Sequence, residues 1–370
     1  MNATTPLTAL ESFLGERIEA GDFPGAVFAI DGKQGLIARG ALGARAIVPA
    51  VEPATMDTLY DLASLTKPLV TAAIASLLAR QGRLRIDEPA GGRLEELAGT
   101  GKEGLTLRQL ATHTSGLPAW LPLYLTGGGI AGALGGIARA RLETPPGKRA
   151  TYSCCGYILL GELVARAGGE PLDALFRGLI ADPLGLSTIG FRPPVSLRSR
   201  IAPTERDCGT ERAMVRELGL RYDGWRHGVI RGEVHDGNAW GLGGVAGNAG
   251  LFGAASDLVL LGRELEGRGS GLFEEKERQL FATPEPCEGE VRSFGWQLAA
   301  TAGSAAHGAL GAEAYGHTGF TGTSMWIDPS MGRTYILLTN RIHPSRDNQK
   351  IRAFRPLLHD AVLDLLTHRT

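Results

Sequence analysis

Each end of this chain pairs a hairpin with a helix, and a sheet assembled from both ends restricts the fold more than any other feature. Residues 8–21 place Leu10, Phe13, Leu14 and Ile18 at helical spacing, Phe23-Pro24-Gly25 breaks that pattern, and the apolar run Ala26–Ile30 reads as a strand. Asp31-Gly32 is a turn signal, and Gly35–Gly40 reads as the returning strand. Near the other end, Ser324–Pro329 and Thr334–Asn340 are strand-like runs around a turn at 328–332. Residues 351–366 then space Ile351, Phe354, Leu357, Leu358, Val362 and Leu365 along one face of a closing helix, which Pro356 is expected to kink or delay.

Between these ends the pattern turns helical. Residues 69–81, 106–112 and 156–168 carry apolar stripes, separated by Gly- and Pro-rich connectors such as Gly127–Gly136 and Glu143–Gly147. The expectation is an α+β protein: an antiparallel sheet flanked by terminal helices, formed by residues 1–85 and 240–370, and a mainly helical subdomain of residues 86–239, with a site at their junction.

Composition excludes several classes of function. A chain of 370 residues, 43% of them hydrophobic, can bury a large core. Its 38 Lys and Arg nearly cancel 39 Asp and Glu, so no net field draws it to nucleic acid. No stretch approaches the roughly 18 uninterrupted apolar residues of a membrane span. The first residues read as an amphipathic helix without a secretory signal. The four cysteines lack C-x-x-C pairing, and Cys154 and Cys155 are adjacent, so reduced thiols and a cytoplasmic address are expected.

Ser64-Leu65-Thr66-Lys67 has the clearest chemical reading, because residues three apart share a helical face and bring a hydroxyl to an amine. To accept the serine proton, Lys67 must be partly neutral, which calls for burial that lowers its pKa. Pro68, four residues after Ser64, has no N–H to give the Ser64 carbonyl, so the turn is irregular by construction. A serine in a first helical turn also aims its own N–H outward, as half of an oxyanion hole. By itself such a pair usually decorates a solvated helix. Two other triplets accompany it: Tyr152-Ser153-Cys154 after a Pro-Pro-Gly turn, and His317-Thr318-Gly319 before the C-terminal hairpin.

In this order the three triplets resemble those of the beta-lactamase-related serine hydrolases, which include class C beta-lactamases, DD-peptidases and esterases. The stretch Thr106–Pro118, the turn Thr144-Pro145-Pro146-Gly147 and Tyr157–Gly161 extend the resemblance to about residues 25–345. It implies a beta-lactamase/transpeptidase-like fold. It also implies Ser64 as nucleophile, Lys67 and Tyr152 as proton carriers, and the N–H groups of Ser64 and Phe320 as the oxyanion hole. His317, Thr318 and Gly319 would line the substrate site, with Gly319 leaving room for a substrate backbone. Cys154 departs from the family's usual asparagine, and a thiol is a poor partner for a substrate amide.

Other features read as structural. Ser115 in His113-Thr114-Ser115-Gly116 is followed three residues later by Pro118 and fits a helix end and turn. His227, His235 and Asp236 lack metal-ligand spacing, so neither a metal nor another cofactor is expected. The glycine-dense Gly241–Gly253 lacks a dinucleotide fingerprint and suits backbone passing close behind the site, with Asn248 at its border.

The sequence thus points to a serine hydrolase that forms an acyl-enzyme with a small ester or amide. Esterase or small-amide hydrolysis is favoured, because Cys154 replaces the amide-binding residue and His317 is a weaker anion anchor than lysine. D-Alanyl-D-alanine carboxypeptidase and beta-lactamase remain alternatives, as does a catalytically silent binding protein on the same fold.

Overall fold

Strand β1 (Gly25–Gly32) is buried along its whole length and lies between β2 (Gly35–Ala46) and β7 (Arg333–Thr339), so the two ends of the chain share one sheet. The computed structural model describes residues 6–367. Its main sheet is completed by β3 (Glu52–Pro53), β4 (Gln297–Leu298), β5 (Tyr315–Thr318) and β6 (Ser324–Asp328), in the order β3-β2-β1-β7-β6-β5-β4 with every neighbour antiparallel. Phe28 faces Leu337 and Ala29 faces Ile336 across the central pair.

The two-residue period of these strands sorts their side chains into two layers. Phe28, Ile30, Trp326, Tyr335 and Leu337 pack against helices α1 (Pro6–Glu19) and α6 (Ile351–Thr367), which supply Leu10, Leu14, Phe354, Leu358 and Val362. Val27, Ala29, Met325, Ile327, Ile336 and Leu338 point the other way. There they join the larger core with α2 (Ala73–Arg80), α4 (Cys154–Gly168) and α5 (Ala255–Leu265). Each fully buried Leu, Ile or Phe in these layers contributes about 1.5–3 kcal/mol. Leu365 lies outside the residues whose side chains are described.

Three expectations are corrected. The Gly127–Gly136 connector is largely helix α3 (Gly129–Arg139), because Ala133, Leu134, Ile137 and Ala138 form a buried stripe that outweighs the glycine penalty. Strand β2 runs six residues past Gly40, to Ala46. Pro356 does not delay α6, which starts at Ile351. The proline sits close enough to the helix start that only the carbonyl of Arg352, an exposed residue, loses its partner.

Gly247 shows how the glycine-dense segment is used. A Cβ there would lie 2.1 Å from the Tyr157 carbonyl oxygen and 2.8 Å from the Gly161 Cα, so backbone packs directly on α4. The Gly247→Ala variant is expected to lose about 3 kcal/mol, since a clash with backbone cannot relax by a rotamer change. A fall in the urea midpoint would show it, with Gly178→Ala, whose Cβ meets nothing within 4 Å, as the unaffected control.

Candidate active site

Ser64 stands in a short 3-10 turn, Ala63–Leu65, held by its surroundings on three sides. Ala63 has φ 49°, a left-handed conformation unfavourable for alanine. The Asp61 carboxylate holds it there by accepting the N–H of Ala63 at 2.8 Å and that of His235 at 2.6 Å. Thr66 donates to the Ala63 carbonyl at 2.6 Å and accepts from the Leu251 N–H at 3.1 Å. From Lys67 to Ala72 the backbone is π-helical, with longer-range bonds where Pro68 denies the usual one to Ser64.

Lys67 is fully buried and donates from Nζ to Ser64 Oγ at 3.0 Å and to the Asn248 carbonyl at 3.0 Å. Its ammonium also lies 4.8 Å from the centre of the Tyr152 ring. Burial pulls the Lys67 pKa down, but its interactions with Cys154 and Tyr152, a hydrogen bond to Tyr152 and the Asp236 charge outweigh it and leave the group raised. The expected depressed lysine is therefore corrected: the resting group is an ammonium. Tyr152 is raised by burial against the opposing pull of Lys67 and Ser64. Cys154 is likewise raised by burial, with Lys67 and the Asn248 amide pulling the other way. At neutral pH the cluster holds a cationic lysine, a neutral phenol and a neutral thiol.

The residue between the two motif positions does structural work. Ser153 caps α4, accepting from the Gly156 N–H at 3.0 Å while donating to the Pro118 carbonyl at 2.6 Å. The Ser153 N–H in turn donates to His113 Nδ1 at 2.9 Å, and the His113 ring lies 4.6 Å from that of Tyr152. Accepting at Nδ1 fixes the neutral tautomer with its proton on Nε2. Burial and the charges of Arg292 and Lys67 hold the His113 pKa well below its ordinary value.

Strand β5 brings the third motif alongside. Thr321 Oγ1 donates to the Asp61 carbonyl at 2.7 Å and Thr323 Oγ1 to that of Leu62 at 3.2 Å, which ties the β5–β6 turn to the Ser64 turn. Gly319 is required for this approach, because a Cβ would lie 2.1 Å from Thr323 Oγ1 and 2.7 Å from the Leu62 carbonyl oxygen. Its room thus serves this contact as well as any substrate. His317 is buried, with Nδ1 at 2.9 Å from the Thr318 carbonyl, and burial keeps it neutral. Phe320, 38% exposed, stacks on His235 at 5.5 Å.

Ser64, Tyr152, His317, Thr318, Gly319 and Phe320 line one cleft of about 930 Å³, open to solvent, with Lys67 beneath it. Residues 10–359 match the family model described as Beta-lactamase. The chain belongs to the beta-lactamase family. It is 34% identical over 322 residues to an Escherichia coli K12 protein named "Putative D-alanyl-D-alanine carboxypeptidase", covering 80% of this chain and 72% of that one. Among solved structures it resembles "EstCE1, a hydrolase with promiscuous acyltransferase activity", with a TM-score of 0.74 at 21% identity, covering 96% of this chain and 98% of that one. A class C beta lactamase from Rhodobacter sphaeroides gives a TM-score of 0.72 at 20% identity, covering 98% and 99%. These two likenesses share the fold, which is beta-lactamase/transpeptidase-like as the sequence implied.

Other sequence candidates lie elsewhere in this family fold. Ser115 is buried in the turn after Leu107–Ala111, where its Oγ accepts from the Leu117 N–H at 3.4 Å. His235 pairs with Glu205 at 2.7 Å, Asp236 caps the turn Gly237–Gly241, and His227 is exposed. Among the described residues no group of three or more His, Cys, Asp or Glu side chains could hold a metal. All four cysteines are free.

Sequence reasoning missed the arginines of the cleft: Arg292, Arg341, Arg352 and Arg355. Arg292 lies over the Tyr152 ring at 5.2 Å and pairs with Glu290. Among the described residues Arg341 and Arg355 donate only to backbone carbonyls, of Phe320, Arg346 and Asn348 and of Gly319 and Thr323. Burial and mutual repulsion hold Arg341 down to about 10 and Arg355 to about 9, both still cationic at neutral pH. The only advance signal was the density of arginine at 341–355.

Proposed function

We propose that the chain is an acyl-enzyme serine hydrolase acting on an ester or amide that carries a carboxylate. The reading rests on one observation: a half-buried serine hydroxyl 3.0 Å from the amine of a fully buried lysine, opening into the arginine-lined cleft. Ser64 Oγ attacks the carbonyl carbon, and its proton passes to the Lys67–Tyr152 pair once that pair has lost one proton. The N–H groups of Ser64 and Phe320 receive the oxyanion. Tyr152 returns the proton to the leaving group, and water then releases the acid and restores Ser64.

Carboxylate recognition follows from Arg341, Arg352 and Arg355, none of which forms an ion pair among the described residues. Three adjacent guanidinium groups repel one another unless an anion joins them. They supply the anchor that His317 as a neutral ring does not. The same arginines favour a second reading, D-alanyl-D-alanine carboxypeptidase, the activity printed in the name of the Escherichia coli relative. Cys154 at the amide-binding position still favours esters.

A fluorophosphonate should label Ser64 in the folded protein and fail to label Ser64→Ala, read by peptide mass. A panel of nitrophenyl esters with and without a carboxylate, a chromogenic cephalosporin and D-Ala-D-Ala peptides ranks the substrates by kcat/KM. Hydrolysis that survives Ser64→Ala and stops with a chelator would sink the reading. An absence of label together with retained ligand binding would mark a silent binding protein.

A further inference from the structure

The segment His113-Thr114-Ser115-Gly116 takes no part in the acyl transfer, yet it holds the backbone that carries Tyr152. The His113 carbonyl accepts the Thr151 N–H at 2.8 Å, and its ring Nδ1 accepts the Ser153 N–H at 2.9 Å. One residue therefore binds both chain neighbours of the phenol. Beside it, the Thr114 carbonyl accepts the Gly147 N–H at 2.7 Å and the Ala119 carbonyl accepts the Cys154 N–H at 2.8 Å. Residues 147–154 are thus laid along residues 113–119. The rings match this arrangement: His113 lies 4.6 Å from the Tyr152 ring and 4.9 Å from that of Tyr157, whose hydroxyl donates to the Ala111 carbonyl at 2.8 Å. The His317 ring is a second imidazole neighbour of Tyr152, at 5.8 Å.

His113 carries two costs that packing does not explain. Its φ of 61° is left-handed, which is uncommon for a residue with a Cβ. Its ring is buried, and Nε2, which bears the proton when Nδ1 accepts, has no partner among the described residues. A leucine would fill a similar volume with no orphaned donor. What leucine lacks is an acceptor at the Nδ1 position for the N–H of Ser153, itself a buried residue. Strain and unmade bonds of this kind collect where a functional group must be held in place. The acceptor role needs a neutral ring, and burial with the charges of Arg292 and Lys67 keeps it so.

We propose that His113 is a positioning residue for Tyr152, fixing the phenol against Ser64 and Lys67 through its bonds to the Thr151 and Ser153 N–H groups. This rests on the acyl-enzyme reading, in which Tyr152 moves the proton. His113 is buried and does not line the cleft, so its effect is exerted on proton transfer and not on substrate binding. A displacement of about 1 Å at a group that moves a proton can cost about a hundredfold in rate.

His113→Leu keeps the volume and removes the acceptor. It should lower kcat for a nitrophenyl ester by about ten- to a hundredfold and leave KM within about twofold of native. His113→Asn places Oδ1 where Nδ1 lies and suits a left-handed backbone, so its kcat should stay within about threefold of native. Tyr152→Phe deletes the hydroxyl that is being placed. Adding His113→Leu to it should cost less than about twofold more, because effects exerted through one group do not add. Native kcat in His113→Leu overturns the proposal, and so does a loss that falls on KM. If His113→Leu does not fold, His113→Asn decides: a native urea midpoint with kcat below about a tenth of native overturns the proposal, and near-native kcat supports it. A slow Tyr152→Phe that His113→Leu slows again by its full factor sinks the positioning role alone. Native kcat in Tyr152→Phe means that the phenol carries no proton, and the acyl-enzyme reading of Tyr152 fails together with the role given to His113.

Discussion

Lys67→Met is expected to lower kcat/KM for a nitrophenyl ester by about a hundred- to ten-thousandfold, the range for removing a positioned proton carrier. Methionine keeps the length and apolar stem of the lysine, so the loss isolates the amine. Ser64 Oγ loses its partner at 3.0 Å, and Tyr152 loses the cation that opposes the rise in its pKa. Both changes disfavour proton removal from Ser64. Stability should fall modestly, because the interactions that leave the Lys67 pKa raised are lost with the ammonium. The Asn248 carbonyl and the Ser64 hydroxyl are the groups left short of a bond. A variant that keeps more than a tenth of the native rate with an unchanged fold would remove Lys67 from the mechanism.

The direction of the Lys67 shift also shows where sequence reading reaches its limit. Ser64 and Lys67 were legible because three-residue spacing is a local fact, and so were the end-to-end hairpins, whose period of two assigns Phe28 and Ala29 to opposite layers. The charge state of Lys67 was not legible, since it depends on Cys154, Tyr152 and Asp236, all 85 or more residues away. His113 read as part of a helix-ending turn, and its partner, the Ser153 N–H, is 40 residues distant. The cleft arginines converge from β4's neighbourhood, the end of β7 and α6. Gly127–Gly136 misled because glycine content masked a four-residue apolar stripe. Local pattern therefore paired Ser64 with Lys67, and only the assembled fold supplied the electrostatic setting of that pair.

The buried histidines give that setting a consequence for stability. Burial holds His113 and His317 well below the ordinary value of 6.5, His359 to about 4, and His343 below 6.5 as well. His343 accepts the N–H groups of Ile47 and Val48 on Nε2 at 3.0 and 3.2 Å, which a protonated ring could not do. In the unfolded chain all four take up a proton near pH 6.5, so below that pH the unfolded state binds more protons than the folded state. Stability then rises with pH: the contribution of each histidine is complete above 6.5 and is lost as pH falls toward its folded value. Each adds up to about 1.4 kcal/mol per pH unit once below 6.5. Asp61 and Glu211, raised by burial, protonate early in the folded state and offset part of this loss. The expected result is a fall in the urea midpoint between pH 7 and pH 5, equivalent to several kcal/mol. His359→Phe, which removes the histidine between Trp326 and Tyr335, should flatten that dependence. A midpoint that stays constant across this range would mean that the histidines bind protons in the fold, and the neutral rings beside Tyr152 would have to be given up with them.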